Sequence, residues 1–229
     1  MTITENTTVA EIASAIPSSV RVFQRHGIDF CCGGKSSLAA VCHKRGVALD
    51  DVMSAIEASA RAPEADDRDW NREPLPLLID HIVSTFHDPL REELPRLEAM
   101  SAKVARVHAA KDASLVRLDE IAQELSAELR SHMRKEELVL FPAIRSIEEG
   151  LPASGPRLEA PIAVMEHEHD HAGALLAELR AITGDYVPPS WGCATVHALH
   201  HGLAELEAAM HVHVHLENNI LFPRALRQF

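Results

Sequence analysis

Two stretches of the 229-residue sequence share one pattern. His132, Glu136, Leu140, Phe141 and Pro142 read H-x3-E-x3-L-F-P, and His213, Glu217, Leu221, Phe222 and Pro223 repeat it. The two histidines stand 81 positions apart (213 − 132), and the pairs His87-Asp88 and His169-Asp170 stand 82 apart (169 − 87). The chain therefore looks doubled, each half offering one lone histidine and one H-x3-E. Histidine and glutamate four apart lie one turn apart on a single helix face. Two such pairs on facing helices, with a lone histidine on each remaining helix, converge in the core of a bundle. Two carboxylates buried there without positive charge carry a large desolvation cost. Two divalent metals remove it, taking the imidazoles as terminal ligands and the carboxylates as bridges. The expectation is a dinuclear site held by His87, His132, Glu136, His169, His213 and Glu217.

The chain has fifteen histidines, so helix geometry must choose among neighbours. Residues two apart on a helix point about 200° apart. His169 shares its face with Ile162, Met165, Ala172 and Leu176, whereas His167 and His171 share a mixed face with Glu168 and Glu178. His213 likewise shares an apolar face with Leu206, Met210, Leu216 and Ile220, and His211 and His215 lie on the other side with Glu207 and Asn218. His169 and His213 are therefore read as inward. The repeat favours His87 over His81, and His132 has no competitor. Imidazole suits several metals and carboxylate shifts the balance toward harder ions. Open positions at each metal fit closed tetrahedral zinc poorly. The expected cofactor is two non-haem irons, bridged by Glu136, Glu217 and an oxo or hydroxo group. Glu128, one turn before His132, and Glu168, next to His169, are expected to orient ligands or line a solvent path.

A second chemical feature is Cys31-Cys32-Gly33-Gly34. Vicinal cysteines close a strained ring when oxidised. Lys35 and a helix start at Ser36 favour thiolate, and the glycines permit a tight turn. Redox work, metal capture or reaction with a small electrophile such as nitric oxide are the chemistries open to it. Cys42 and Cys193 read as core residues.

The elements that must position these groups are helices. Apolar content is 46% and aromatic content 4%, with long Ala/Leu/Glu stretches and few β-branched runs, so the fold class is all-α. Residues 1–60 predict a small helical domain. Thr8 caps Val9–Ala15, a serine at 18 or 19 starts a helix that ends near Gly27, a serine at 36 or 37 starts one that ends at Gly46, and Asp50 caps the last. Its core is thin and calls for a partner surface, the bundle or a second copy in a homodimer. Residues 61–74 form a linker broken by Pro63, with Trp70 pinning its end. Residues 75–229 predict an up-down-up-down four-helix bundle: about 75–107, 113–149, 158–183 and 191–228, with a loop at Gly150–Pro156. Pro89 and Pro95 must bend or break the first helix, and Pro142 must kink the second.

A formal net charge of −12 argues against nucleic acid and against an anionic membrane surface as partners. No apolar run reaches the length of a membrane span, the N-terminus shows no secretory pattern, and four cysteines make no disulfide framework. A reducing cytoplasm is the expected compartment.

Taken together, Asp29 to Lys35 with its Cys31-Cys32-Gly33-Gly34 centre, Phe86-His87-Asp88, the Ser131-to-Glu137 stretch, the Met165-to-Asp170 stretch and the His213-to-Pro223 stretch resemble the repair-of-iron-centres family over the whole chain. That family joins a short cysteine-bearing domain to a hemerythrin-like bundle. The pattern departs from the oxygen-carrying hemerythrins, which use H-x3-H on the third helix. The resemblance implies repair of iron-sulfur clusters damaged by nitrosative or oxidative stress, with the di-iron centre as an iron source and damaged or apo iron-sulfur proteins as partners. A nitric oxide reductase, or a sensor of dioxygen or nitric oxide, would use the same six ligands, so the residues leave open whether the protein is an enzyme.

Overall fold

The structure is a computed structural model that describes residues 3–31, 33–62, 67–148 and 157–227. Cys32, Pro63 and the predicted Gly150–Pro156 loop lie outside the described residues. Helices account for the secondary structure that was found: α1 Val9–Ala15, α2 Ser19–Arg25, α3 Leu38–Arg45, α4 Leu49–Arg61, α5 Leu75–Ile82, α6 Asp88–His108, α7 Ser114–Lys135, α8 Phe141–Glu148, α9 Glu159–Thr183, α10 Ala194–Leu216 and α11 Phe222–Leu226. Among the described residues none is long and apolar enough to cross a membrane. The chain divides into two compact units, residues 1–78 with 211–229, and residues 79–210.

In the first unit the caps follow local chemistry. Thr8 and Glu11 form a reciprocal capping box on α1, and the Ser37 side chain accepts from the Ala40 amide at the start of α3. Both satisfy amides that a helix start leaves without partners. Gly46 ends α3 in the left-handed conformation (φ 67°). Asp50 is not the cap of α4. The helix starts at Leu49, Ala48 holds the cap position without a side-chain bond, and Asp50 and Asp51 lie in the first turn. There their charge favours the positive end of the helix dipole. Val9, Ile12, Val22, Phe23, Ile28, Phe30, Leu38, Val52 and Ile56 form the core, and Val212 from the end of α10 packs on it. The thin core is thus completed by the C-terminal segment. The linker end is also held: Asp67 pairs with Arg21, and the Trp70 carbonyl accepts from Arg224 at 2.5 Å.

In the second unit α6, α7 and α9 pack side by side. Arg117 bridges α7 to Glu178 of α9 at 2.8 and 3.1 Å. Ser101 of α6 donates to Asp119 of α7 at 2.6 Å. Gly202 lets α10 approach α6, because a Cβ there would stand 2.8 Å from Leu97 Cδ2.

Pro95 lies inside α6, which continues through it unbroken, and three other prolines share one arrangement. Each of Pro89, Pro142 and Pro223 follows a π turn, at Val83–His87, Glu136–Leu140 and Glu217–Leu221. In each the amide after the turn donates five residues back: Asp88 to Val83, Phe141 to Glu136, Phe222 to Glu217. Proline has no N–H and its ring collides with the carbonyl four residues earlier in a regular helix. Widening the preceding turn relieves both faults at the cost of one inserted residue. Single π turns of this kind concentrate at functional sites, and these carry His87, Glu136 and Glu217.

Candidate metal centre

Within the second unit three histidines and one glutamate from three helical segments meet in the interior. His87 and Glu136 are fully buried, and His132 and His169 are 3% and 2% exposed. Glu136 Oε2 lies 3.4 Å from His87 Nε2 and 3.3 Å from His132 Nε2. His169 Nε2 lies 3.0 Å from His132 Nε2. The donor atoms of His132, Glu136 and His169 all fall within 4.8 Å of one another. One carboxylate therefore sits between two imidazoles that reach it from different helices.

The far side of each of two rings is fixed by a carboxylate. His87 Nδ1 is 2.7 Å from Glu137 Oε1, and His132 Nδ1 is 2.9 Å from Glu168 Oε2. An acceptor at Nδ1 places the proton there and leaves Nε2 as a lone-pair donor, which is the arrangement of metal-ligating histidine. Phe141 stacks on the His87 ring at 5.8 Å and 18°, so the residue after the π turn also holds a ligand candidate. Burial raises the Glu168 carboxyl, but hydrogen bonds from Lys135 and His132 outweigh it and hold the group below its ordinary value. Glu168 is thus an anion at neutral pH. The Glu168→Gln variant is expected to loosen the His132 ring and weaken metal binding about 10–100-fold. Competition with a chelator of known affinity measures this, and an unchanged affinity would show that His132 needs no such support.

In the first unit His213 and Glu217 are both fully buried. His213 Nε2 stands 3.0 Å from Glu217 Oε1, one helical turn on. Imidazole nitrogen and carboxylate oxygen, buried and convergent, fit a divalent metal: the donor set is that of borderline and hard first-row ions.

The other sequence candidates are placed as follows. His167 and His171 are exposed. Glu128 turns to His171 at 3.1 Å on the surface, with Glu124 beside it, and also lines a cleft of about 280 Å³ that reaches Ser131, His132, Lys135, Glu168 and His169. Cys31 is 6% exposed and Cys42 is buried. Cys193, read as a core residue, is exposed, with its sulfur 3.4 Å from His108 Nε2. It lies on the surface just before α10, which the apolar character of the residue type does not reveal. His215 is a second correction. The helix period puts it with Glu207 and Asn218, on the side away from His213, yet it is 2% exposed. Its ring meets Phe30 edge-on at 5.5 Å, so that face is covered by the N-terminal module rather than by water. Glu137, which holds His87, was missed. Its only sequence signal is its place next to Glu136.

Comparison with known proteins also points to cation binding. Residues 78–225 match the hemerythrin HHE cation-binding domain, and residues 5–60 match ScdA_N, a domain of unknown function. The chain is 42% identical over 219 residues to the iron-sulfur cluster repair protein YtfE of Pectobacterium atrosepticum, covering 96% of each chain. It is 41% identical over 225 residues to that of Yersinia pseudotuberculosis, covering 97% of each. For Escherichia coli O81 the identity is 40% over 218 residues, covering 95% of this chain and 96% of the relative. With most of its length matched by a cation-binding domain and nearly all of it by these relatives, the chain belongs to the hemerythrin HHE family and to its YtfE iron-sulfur cluster repair group.

Proposed function

We propose that the protein repairs iron-sulfur clusters damaged by nitrosative or oxidative stress, acting in the cytoplasm and supplying iron from a carboxylate-bridged di-iron centre. His87, His132, Glu136, His169, His213 and Glu217 would hold the two irons. The observation that carries this reading is the position of Glu136, buried between imidazoles from two helices at 3.4 and 3.3 Å. A carboxylate with a histidine on each side could bridge two metals, and Glu217 stands one turn from His213 at 3.0 Å in the repeated motif. The YtfE relatives are named as iron-sulfur cluster repair proteins, which supports the same reading.

When bound, the irons would supply an exchangeable store and open positions for small ligands, for which nitric oxide and dioxygen are the candidates. The protein's own groups do the rest. Glu137 and Glu168 hold two imidazoles in the ligating tautomer. The cleft over His132 and His169 gives access from one side, and the Lys135–Glu168 ion pair stands on its lining. Anaerobic transfer of iron to an apo iron-sulfur protein tests the proposal. Transfer is expected from the wild type and is expected to slow in a Cys31→Ser/Cys32→Ser variant. No transfer from either would reject the repair role. Nitrous oxide produced from nitric oxide under reducing conditions would mark a reductase instead.

A further inference from the structure

The Asp29–Cys31 turn and the start of the C-terminal segment bring together a second set of donors. Asp29, Cys31 and His211 each offer one ligand atom, and the three atoms lie within 4.8 Å of one another. All three belong to the first unit, and none is among the six residues assigned to the bundle.

Each donor is held by its surroundings. The Asp29 carboxylate accepts the Cys31 amide at 2.9 Å through Oδ1 and the Gly33 amide at 2.9 Å through Oδ2. It also accepts the Cys31 thiol at 3.1 Å. Gly33 is required for this turn, since a Cβ there would lie 2.8 Å from Asp29 Oδ2, and one at Gly34 would lie 2.6 Å from the Phe30 carbonyl oxygen. Phe30, between the two donors, is fully buried. Its ring meets His211 edge-on at 6.0 Å, and its carbonyl accepts from Asn219 at 3.3 Å. The same anchor thus sets the turn and the histidine against each other. Cys31 is nearly buried, whereas Asp29 and His211 are partly exposed, so an ion there would have solvent on one side.

We infer that Asp29, Cys31 and His211 form a second metal site, for a borderline divalent ion such as iron(II) or zinc(II). Thiolate, imidazole and carboxylate together select ions of that class. Three protein ligands leave a position for water or an exchanging ligand. Binding forms a metal–sulfur bond and breaks the Cys31 S–H bond, with the proton passing to buffer. One carboxylate and one thiolate then balance the charge of the ion. The inference stands on these three residues and does not rest on the repair reading.

Cobalt(II) is the probe, because thiolate coordination gives it a charge-transfer absorption in the near ultraviolet. It is titrated anaerobically into full-length, iron-loaded protein. One equivalent is expected to produce the band. Cys31→Ser should abolish it, Cys32→Ser should leave it, and His211→Gln and Asp29→Asn should each weaken cobalt binding about tenfold or more. The iron content of each variant is measured alongside as a check that the bundle is intact. The inference is overturned by any of three results: no band in the wild type, a band lost with Cys32→Ser but kept with Cys31→Ser, or undiminished affinity in both His211→Gln and Asp29→Asn.

Discussion

Replacing Glu136 by leucine should strip the centre of iron and also destabilise the metal-free protein. Glu136 is fully buried, and its neighbours at 3.3 and 3.4 Å are imidazoles from two helices. With two metals bound, the carboxylate would be a bridge, and its removal would take a ligand from both. Without metal, leucine removes the carboxylate that faces both histidines, and removing one partner of a buried polar group costs on the order of 3–5 kcal/mol. In a chain of this length that amounts to roughly ten degrees of melting temperature. The Glu136→Leu variant is therefore expected to hold less than one iron per chain and, after chelation, to melt below chelated wild type. If Glu136→Leu still holds two irons per chain, Glu136 is a structural partner of the two histidines and not a metal bridge.

The ligand candidates were legible because helix period and internal repeat constrain them jointly. The choice of His169 over His167 and His171 needed only the position of Ile162, Met165 and Leu176 on the same face. Leu140-Phe141-Pro142 and its repeat announced an irregularity, but not its form. A proline after a helical run signals a fault in the hydrogen-bond ladder, and sequence does not tell whether a kink, a break or a π turn absorbs it. His215 was misplaced for a different reason. Helical periodicity finds the face toward the bundle, and α10 has a second buried face, made by Phe30 nearly two hundred residues earlier. Such non-local burial leaves no periodic trace in the helix itself. Glu137 was invisible because the π turn alters which residues after Glu136 point inward.

The buried His215 should make the first unit acid-sensitive. Burial pushes its imidazole down to about 4, against about 6.5 in an unfolded chain. Above pH ~6.5 both states hold it neutral, and its contribution to stability is fully present. As pH falls below that, the unfolded state takes up a proton that the folded state refuses, so stability declines until the folded group itself titrates near pH 4. Integrated over that window, the loss is on the order of 3 kcal/mol. Chelated protein should therefore lose denaturant resistance between about pH 6.5 and 4. A His215→Gln variant, which keeps a polar group for Asn219 at 2.9 Å, should show a shallower decline over the same range. Equal slopes in the two proteins would mean that other groups carry the acid sensitivity. Metal-free samples are needed because acid release of bound metal would add its own slope.

The most direct test of the di-iron reading is the metal content of wild-type protein purified without oxygen, by elemental analysis. The six-ligand assignment predicts two irons per chain. One zinc per chain, or no metal, would contradict it and leave the repair role resting on the cysteine turn.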